Sequence, residues 1–469
     1  MSPELDRVLS CYSEVSEIQT LFCIDNVEWS YELPYYLRDI RVPRSSLPPG
    51  ASRKVYLLDG KIGVVDLRGN SEAFEVCEAY LPVPKTLKGK TNDVITTKNS
   101  DEIFCSCARV YFLRDLSVGV ECVPFFMPDG KLSACAQAAM KIIVEHMSRE
   151  FSISSLSMPQ IQKKISEGDP FGSYGLTASM VYKGFSGICG RVLYYTGSAN
   201  PELSNSPYSH RMCSDNLYAY IESELPVYLV FKTKDLWWWD ERGDDTYHAI
   251  VGIGHTLDDS GRLDFFICHD VSDGPYKLLS TEIINEKLYE AIVVLPPKVN
   301  VTFEDAYRNM ILSAVNFNEL LRKKLNGRLS IDVRHMIESK NVVFRSMLVS
   351  STKVKEWYSD PTGSYSVSES TKELYRDAEL PTYSWLFELK EKGRADNRNF
   401  AQILINATEG SPKPCLINFP DGYLRYRCGI EERFTDRSDT LDGDPGLRKD
   451  AIREKWGKLY PHTSNTKCG

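Results

Sequence analysis

Three apolar runs decide the fold of this chain: Pro226-Val227-Tyr228-Leu229-Val230-Phe231, His248-Ala249-Ile250-Val251-Gly252-Ile253-Gly254 and Leu263-Asp264-Phe265-Phe266-Ile267-Cys268. Each run has the length and the β-branched or aromatic content of a buried strand. The polar segment Asp258-Asp259-Ser260-Gly261 separates the second run from the third and predicts a tight turn. The second and third strands should therefore form an antiparallel hairpin at the centre of a sheet.

Helices are predicted to precede these strands, one of them after the loop that begins at Phe171. Residues 135–147 are rich in alanine and other strong helix formers, and Asp129-Gly130 and Ser133 precede them as turn and capping residues. Another helix is predicted over residues 216–224, immediately before the first strand. The small residues near the start of the first helix should let it pack closely against the sheet.

Cys135 is the candidate nucleophile because it stands where the first helix begins. A helix N-terminus carries roughly half a positive charge, which favours the thiolate over the thiol. A nucleophilic cysteine also needs a base within hydrogen-bond reach and a residue that orients this base. His248 opens the second strand, where a side chain can project into a cleft, and it is the candidate base.

Asp270 is the candidate orienting residue, but its position depends on the register of the hairpin. A turn centred on Asp259 places residue 248 directly across from residue 270, on the same side of the sheet. A turn centred between Asp259 and Ser260 makes Val271 the partner instead and points Asp270 away. A bulge or a loop difference of one residue decides between the two arrangements.

This order of residues resembles the papain-like cysteine peptidase superfamily and, within it, the C39-like peptidases. The resemblance covers about residues 129–280, and its most specific part is the strand Pro226–Phe231 followed by the histidine strand. It implies a helix packed on an antiparallel sheet, with the active site in the groove between them. It also implies that Cys135 is the nucleophile, His248 the general base and acid, and Asp270 the orienting carboxylate. The substrate would be a peptide or a protein.

One departure from the family pattern keeps two other functions open. The family usually has a glutamine six residues before the cysteine as a donor to the oxyanion, and here that position is Asp129. An ionised carboxylate cannot donate a hydrogen bond and would repel an oxyanion. The chain could therefore be a catalytically inactive papain-like scaffold that binds proteins. A transglutaminase-like acyltransferase would use the same three residues.

Metal binding is not expected at the histidines and cysteines of this region. Cys268 and His269 are adjacent, so their side chains point to opposite faces of a strand, and His255 lies on the partner strand. Cys105 and Cys107 have no second cysteine pair downstream that would complete a zinc site. We predict neither a metal nor a cofactor.

The composition excludes several classes of protein. The chain has 469 residues, a formal charge of −8 and 42% hydrophobic residues, which is typical of a globular protein and not of a general nucleic-acid binder. No apolar run approaches the roughly 20 residues of a membrane span, and the first residues do not resemble a signal peptide. Thirteen scattered cysteines indicate reduced thiols. These observations predict a cytoplasmic protein without membrane or nucleic-acid partners.

The predicted fold class is α+β with three regions. Residues 1–128 form a mixed α/β region, residues 129–298 the papain-like domain, and residues 299–469 an α+β region that ends in a charged, loosely ordered tail. A helix is expected over residues 303–325, followed by strands near residues 383–389 and 402–406. The two flanking regions could hold substrate, gate the groove or bind a protein partner.

Overall fold

A computed structural model describes most of the chain. The described residues are 3–12, 15–17, 51–59, 61–70, 73–84, 86–88, 94–96, 103–111, 119–127, 135–165, 176–189, 191–200, 210–236, 246–257, 263–329, 331–339, 341–359, 369–391, 401–427, 430–434 and 460–461. Helices and predominantly antiparallel sheets alternate along these residues, which confirms the predicted α+β class. Among the described helices, none is long and apolar enough to cross a membrane.

The N-terminal part is built mainly from strands. Its elements are α1 (Pro3–Leu9), β1 (Val15–Glu17), β2 (Ala51–Leu58), β3 (Lys61–Asn70), β4 (Ala73–Tyr80), β5 (Thr86–Lys88), β6 (Val94–Thr96), β7 (Ile103–Cys105), β8 (Ala108–Tyr111), β9 (Gly119–Cys122) and β10 (Phe125–Phe126). An antiparallel sheet has the order β1-β2-β3-β4-β10, and β5-β6 and β8-β9 form two separate ribbons.

The central part carries the predicted site. Its elements are α2 (Cys135–Phe151), α3 (Met158–Ile165), α4 (Ala178–Ser186), β11 (Val192–Thr196), β12 (His210–Arg211), α5 (Ser214–Glu222), β13 (Val227–Lys232), β14 (Tyr247–Leu257), β15 (Leu263–Asp270), β16 (Gly274–Ser280), α6 (Thr281–Lys287) and β17 (Glu290–Val294). The sheet has the order β12-β11-β17-β13-β14-β15-β16, and β7 also pairs with β14. Only the β11-β12 pair is parallel among these described strands.

The C-terminal part adds a third sheet. Its elements are α7 (Phe303–Lys324), α8 (Val333–Glu338), β18 (Val342–Ser350), α9 (Ser351–Ser359), α10 (Glu369–Asp377), β19 (Tyr383–Glu391), β20 (Ala401–Asn406), β21 (Pro414–Phe419), β22 (Gly422–Arg427), β23 (Ile430–Phe434) and β24 (Tyr460–Pro461). The antiparallel order is β23-β22-β21-β20-β19-β18-β24. Most of the tail that was expected to be loosely ordered lies outside the described residues.

The predicted central strands are the observed β13, β14 and β15, because their apolar runs are long enough to be buried along most of their length. The helix α2 begins at Cys135, as its alanine-rich sequence predicts, and residues 136–147 are buried. Ala138 and Ala139 have no exposed surface, and α2 packs against β13, β14 and β10. This packing holds the start of α2 beside the start of β14.

The three sheets follow the order of the three predicted regions along the chain. Strand β7 is an exception: it lies within residues 1–128, but it pairs with β14 of the central sheet. One continuous hydrophobic cluster extends from Leu5 to Leu424 and includes residues of all three sheets. The division into three independent domains stays a prediction.

Candidate active site

Cys135 is the first residue of α2, and its side chain is partly buried. Burial raises the pKa of the thiol, but the hydrogen bond from His248 and the charge of this imidazole lower it. The backbone N–H groups of Ala249 and Ala136 lower it further, and the net pKa lies below the usual 9.0. The site therefore stabilises the thiolate, which is the nucleophilic form of cysteine.

The other cysteines show that this environment is unusual within the described residues. Burial raises the pKa of five of them above the usual 9.0: Cys105, Cys122, Cys189, Cys268 and Cys415. These thiols are buried small hydrophobic groups and should be inert near neutral pH. The lowered pKa distinguishes Cys135 from them.

His248 lies between Cys135 and Asp270. It is the second residue of β14 and is almost completely buried, with 3% of its surface exposed. Its Nε2 lies 2.8 Å from Oδ1 of Asp270 and donates a hydrogen bond to this carboxylate. Burial lowers the pKa of His248, but the charge and hydrogen bond of Asp270, together with Cys135, raise it to about 10. The imidazole is therefore held in its protonated form beside a thiolate.

Asp270 is held in place by the turn that follows it. It is the last residue of β15 and has no exposed surface. Its Oδ1 accepts hydrogen bonds from the backbone N–H of Ser272 at 2.8 Å and of Asp273 at 3.1 Å. This is an Asx turn, in which the side chain replaces a backbone acceptor. The turn fixes the carboxylate without help from His248.

The register of the hairpin differs from both predicted alternatives. Asp270 pairs with Ile250, not with residue 248, and two irregularities lie in β14, between Gly252 and Gly254 and between His255 and Leu257. Residues two apart on a strand share a face, so His248 and Asp270 still lie on the same side of the sheet. The contact is therefore diagonal across the two strands. The segment 258–261, whose turn was used to predict the register, lies outside the described residues.

The histidines that were considered as metal ligands, His255 and His269, each bond a different partner. Nε2 of His255 bonds Glu222 at 2.7 Å, while Nε2 of His269 donates to the carbonyl of Val123 at 3.2 Å. Burial lowers the pKa of His269 to about 4, and its Nδ1 accepts from the N–H of Tyr276 at 3.3 Å. Within the part of the chain that the structure describes, no group of three His, Cys, Asp or Glu side chains is arranged so that it could hold a metal ion. The expectation of a metal-free protein stays a prediction.

Sequence reasoning missed the residues that support the predicted site. The Asx turn had a local signal, since Asp270-Val271-Ser272-Asp273-Gly274 has the composition of a turn. No local sequence pattern indicated that Tyr228 would lie near the site. Burial raises the pKa of its hydroxyl, and the nearby Cys135 and Glu290 raise this pKa further. Asp129, which stands where the family usually has a glutamine, lies outside the described residues. The origin of a side-chain donor to an oxyanion therefore stays open.

Comparisons with known proteins do not identify a family for this chain. No protein-family model and no curated protein sequence matches the chain. Among solved structures, a candidate C39-like peptidase from Bacillus anthracis aligns with 37% of this chain and 94% of its own, at 12% identity and a TM-score of 0.26. This TM-score is too low to support a conclusion about fold or function. The resemblance to papain-like peptidases stays a prediction.

Proposed function

We propose that this protein is a thiol hydrolase of the papain-like kind that cleaves peptide bonds, with Cys135, His248 and Asp270 as its catalytic residues. One observation carries the proposal: the thiol with the lowered pKa hydrogen-bonds an imidazole whose Nε2 bonds a buried carboxylate, that of Asp270, at 2.8 Å. A nucleophile, a base and a group that orients the base form the constellation for acyl transfer.

The first half of the reaction forms an acyl-enzyme. The Cys135 sulfur attacks the substrate carbonyl carbon and forms a C–S bond, and the carbonyl electrons move to the oxygen. The oxyanion lies near the start of α2, where backbone N–H groups and the helix dipole favour negative charge. When the tetrahedral intermediate collapses, the C–N bond breaks and protonated His248 gives its proton to the leaving amine.

The second half releases the product. Neutral His248 takes a proton from water, whose oxygen attacks the thioester carbon. The C–S bond then breaks, so the thiolate and the imidazolium are restored together and a free carboxylic acid leaves. Throughout the cycle Asp270 stays ionised and holds His248 in one orientation through the Nε2 bond.

Alkylation by iodoacetamide at pH 7 tests the nucleophile. We expect Cys135 to be modified faster than the other thiols, because it alone among the described cysteines with a shifted pKa has this pKa lowered. Mass spectrometry of the tryptic peptides identifies the modified residue. The variant Cys135→Ala should lose the fast phase, and Cys213→Ala, which removes another partly buried thiol, should keep it. A fast phase that survives in Cys135→Ala would contradict the proposal.

Product analysis separates hydrolysis from acyl exchange. A peptidase releases a free acid in water, whereas a transglutaminase-like enzyme transfers the acyl group to an added amine. We expect the free acid to remain the main product when a primary amine is added to a peptide library and the products are measured by mass spectrometry. A predominant amide product would instead favour the acyltransferase.

A further inference from the structure

Glu290 is a half-buried carboxylate that the reaction above does not use. It is the first residue of β17, and its Oε1 accepts hydrogen bonds from the hydroxyl of Tyr194 at 2.5 Å and from Nδ2 of Asn200 at 3.2 Å. Asn200 is itself 1% exposed, so a buried amide is fixed on this carboxylate. Both donors use the same oxygen, and Oε2 accepts no hydrogen bond from any residue that the structure describes.

The negative charge of Glu290 is not balanced by any residue that the structure describes. No lysine, arginine or histidine of the described residues forms an ion pair with it. The buried Glu222, in contrast, pairs with Arg345 at 2.6 Å, and Glu145 pairs with Lys141 at 2.8 Å. Burial raises the pKa of Glu290, and only the bond from Tyr194 lowers it. A partly desolvated carboxylate without a cation is costly unless a ligand supplies one.

Strand pairing places Glu290 near the nucleophile. Val230 of β13 pairs with Glu290 on one side and with Ala249 on the other, and the N–H of Ala249 bonds the sulfur of Cys135. Neighbouring strands lie about 4.8 Å apart, so the Cα atoms of Glu290 and Ala249 are about 10 Å apart. Directly paired residues share a face of a sheet, which puts the Glu290 side chain on the face of Val230 and Ala249. His248, the neighbour of Ala249 on β14, points to the opposite face together with Asp270, so Glu290 lies near the nucleophile but across the sheet from the base.

Tyr228 gives independent support for this proximity. Tyr228 lies two residues before Val230 on β13, so the two side chains point to the same face of the sheet. Besides burial, Cys135 and Glu290 are the two groups that raise the pKa of its hydroxyl. The ring of Tyr228 therefore lies within electrostatic range of both the thiol and the carboxylate.

We propose that Glu290, held by Tyr194 and Asn200, binds a lysine or arginine side chain of the substrate and makes the enzyme selective for basic peptides. This inference rests on the proposed function, since it assigns a specificity subsite to the same site. An extended peptide advances about 3.3 Å per residue, so the separation of about 10 Å between Glu290 and Ala249, whose N–H bonds the Cys135 sulfur, corresponds to roughly two or three residues of a bound peptide. Oε2 would accept from the cation, and the bond from Tyr194 would stay in place.

Peptide chloromethyl ketones that alkylate Cys135 provide the test. Two series of tripeptide probes are compared, with lysine or its uncharged analogue norleucine placed in turn at each position. We expect a faster second-order rate for lysine at the second or third position from the reactive carbon. A charged hydrogen bond contributes a factor of about ten to a hundred, so this is the expected rate ratio.

The variant Glu290→Gln should bring the ratio of the lysine rate to the norleucine rate close to one. Glutamine keeps the size of the side chain and an oxygen that accepts from Tyr194 and Asn200. Glu286→Gln is the matched control, because Glu286 is an exposed acid on the neighbouring helix α6 and should leave the ratio unchanged. Because the pKa of Glu290 is raised, the ratio in the unmodified protein should also increase with pH.

The outcomes separate the two proposals. If iodoacetamide modifies Cys135 selectively but the unmodified protein shows no preference for lysine, the subsite is refuted and the hydrolase stands. The same conclusion follows if Glu290→Gln keeps the preference. If the variant does not fold, a ratio that fails to increase with pH in the unmodified protein refutes the subsite. If iodoacetamide does not select Cys135, the proposed function itself fails.

Discussion

At the scale of single residues, the site depends on opposite shifts of two neighbouring pKa values. The pKa of Cys135 is lowered, mainly by His248, and the pKa of His248 is raised, mainly by Asp270 and further by Cys135. Between the two values the pair exists as thiolate and imidazolium. These shifts favour transfer of the thiol proton to the imidazole before substrate binds, and the thiolate is the nucleophilic form of cysteine.

The pH dependence of alkylation should report this pair. In the unmodified protein, the rate of Cys135 modification by iodoacetamide should increase with pH around a midpoint below 9.0, because the thiolate forms early. In His248→Ala, only burial and two backbone N–H groups remain, so the midpoint should move upward. Rates are measured between pH 5 and pH 10. An unchanged midpoint in the variant would show that the imidazole does not stabilise the thiolate.

At the scale of elements, the turn after β15 determines where the carboxylate stands. Oδ1 of Asp270 accepts from the backbone N–H of Ser272 and Asp273 and from His248, so one oxygen both closes a turn and orients the imidazole. The next strand, β16, begins at Gly274, which has a φ of +123° and lies against the carbonyl of Arg7. Helix α1 therefore contacts the turn that follows the predicted catalytic residue.

Substitutions of Asp270 should separate these two roles. Asp270→Asn keeps an oxygen for the turn but loses the charge that raises the pKa of His248, so we expect normal folding and a loss of about a hundredfold or more in kcat/KM. Asp270→Ala also removes the acceptor of two backbone N–H groups and should lower the free energy of unfolding by a further 1–3 kcal/mol, roughly. Peptidase assays and urea unfolding measure the two effects. Equal stability of the two variants would argue against the structural role of the turn.

Gly274 should be sensitive to substitution for the same reason. A Cβ added to Gly274 would lie 3.1 Å from the carbonyl oxygen of Arg7, in a backbone conformation that L-residues rarely adopt. We expect Gly274→Ala to destabilise the protein by about 1–3 kcal/mol. Gly410→Ala is the control, because a Cβ there meets nothing within 4 Å. Thermal unfolding of both variants makes the comparison, and a Gly274→Ala protein as stable as the control would be inconsistent with strain at this turn.

The sequence predicts these elements better than their pairing. The strands β13, β14 and β15 follow from apolar runs, and the start of α2 at Cys135 follows from local composition, because both signals extend over many neighbouring residues. The register of β14 against β15 depends instead on two irregularities, near Gly252-Ile253-Gly254 and near Thr256. A shift of one residue leaves the hydrophobic pattern almost unchanged, so the sequence left two arrangements open and neither was the observed one.

At the scale of the whole molecule, a buried ionic network joins the central and C-terminal sheets. Arg345 of β18 pairs with Glu222 at the end of α5 at 2.6 Å, and with Glu388 of β19 at 3.4 Å. Glu222 also bonds His255 of β14 at 2.7 Å, in the irregular part of the strand that carries His248. The sequence gives no signal for this network, because its members are far apart along the chain and charged residues are usually exposed.

Removal of Arg345 should therefore destabilise the protein in a pH-dependent way. Arg345 is the main group that lowers the pKa of Glu222 against the effect of burial, with His255 second. A lowered pKa means that this carboxylate stabilises the fold above about pH 4.5 and that the stabilisation is lost as the pH falls through the folded-state pKa. Arg345→Met leaves buried carboxylates without their cation, which costs about 3–5 kcal/mol at pH 7.

The pH dependence distinguishes this ionic effect from a packing defect. In Arg345→Met, the pKa of Glu222 should rise, because burial now dominates. As the pH falls toward 4, Glu222 then becomes protonated and its buried charge is removed. The loss in free energy of unfolding relative to the unmodified protein should therefore shrink as the pH falls. Urea unfolding at pH 7 and at pH 4.5 measures both deficits. Arg334→Met is the control, since its exposed ion pairs with Glu319 and Glu338 should contribute little at either pH. A deficit in Arg345→Met that is the same at both pH values would indicate lost packing and not an unbalanced charge between the two sheets.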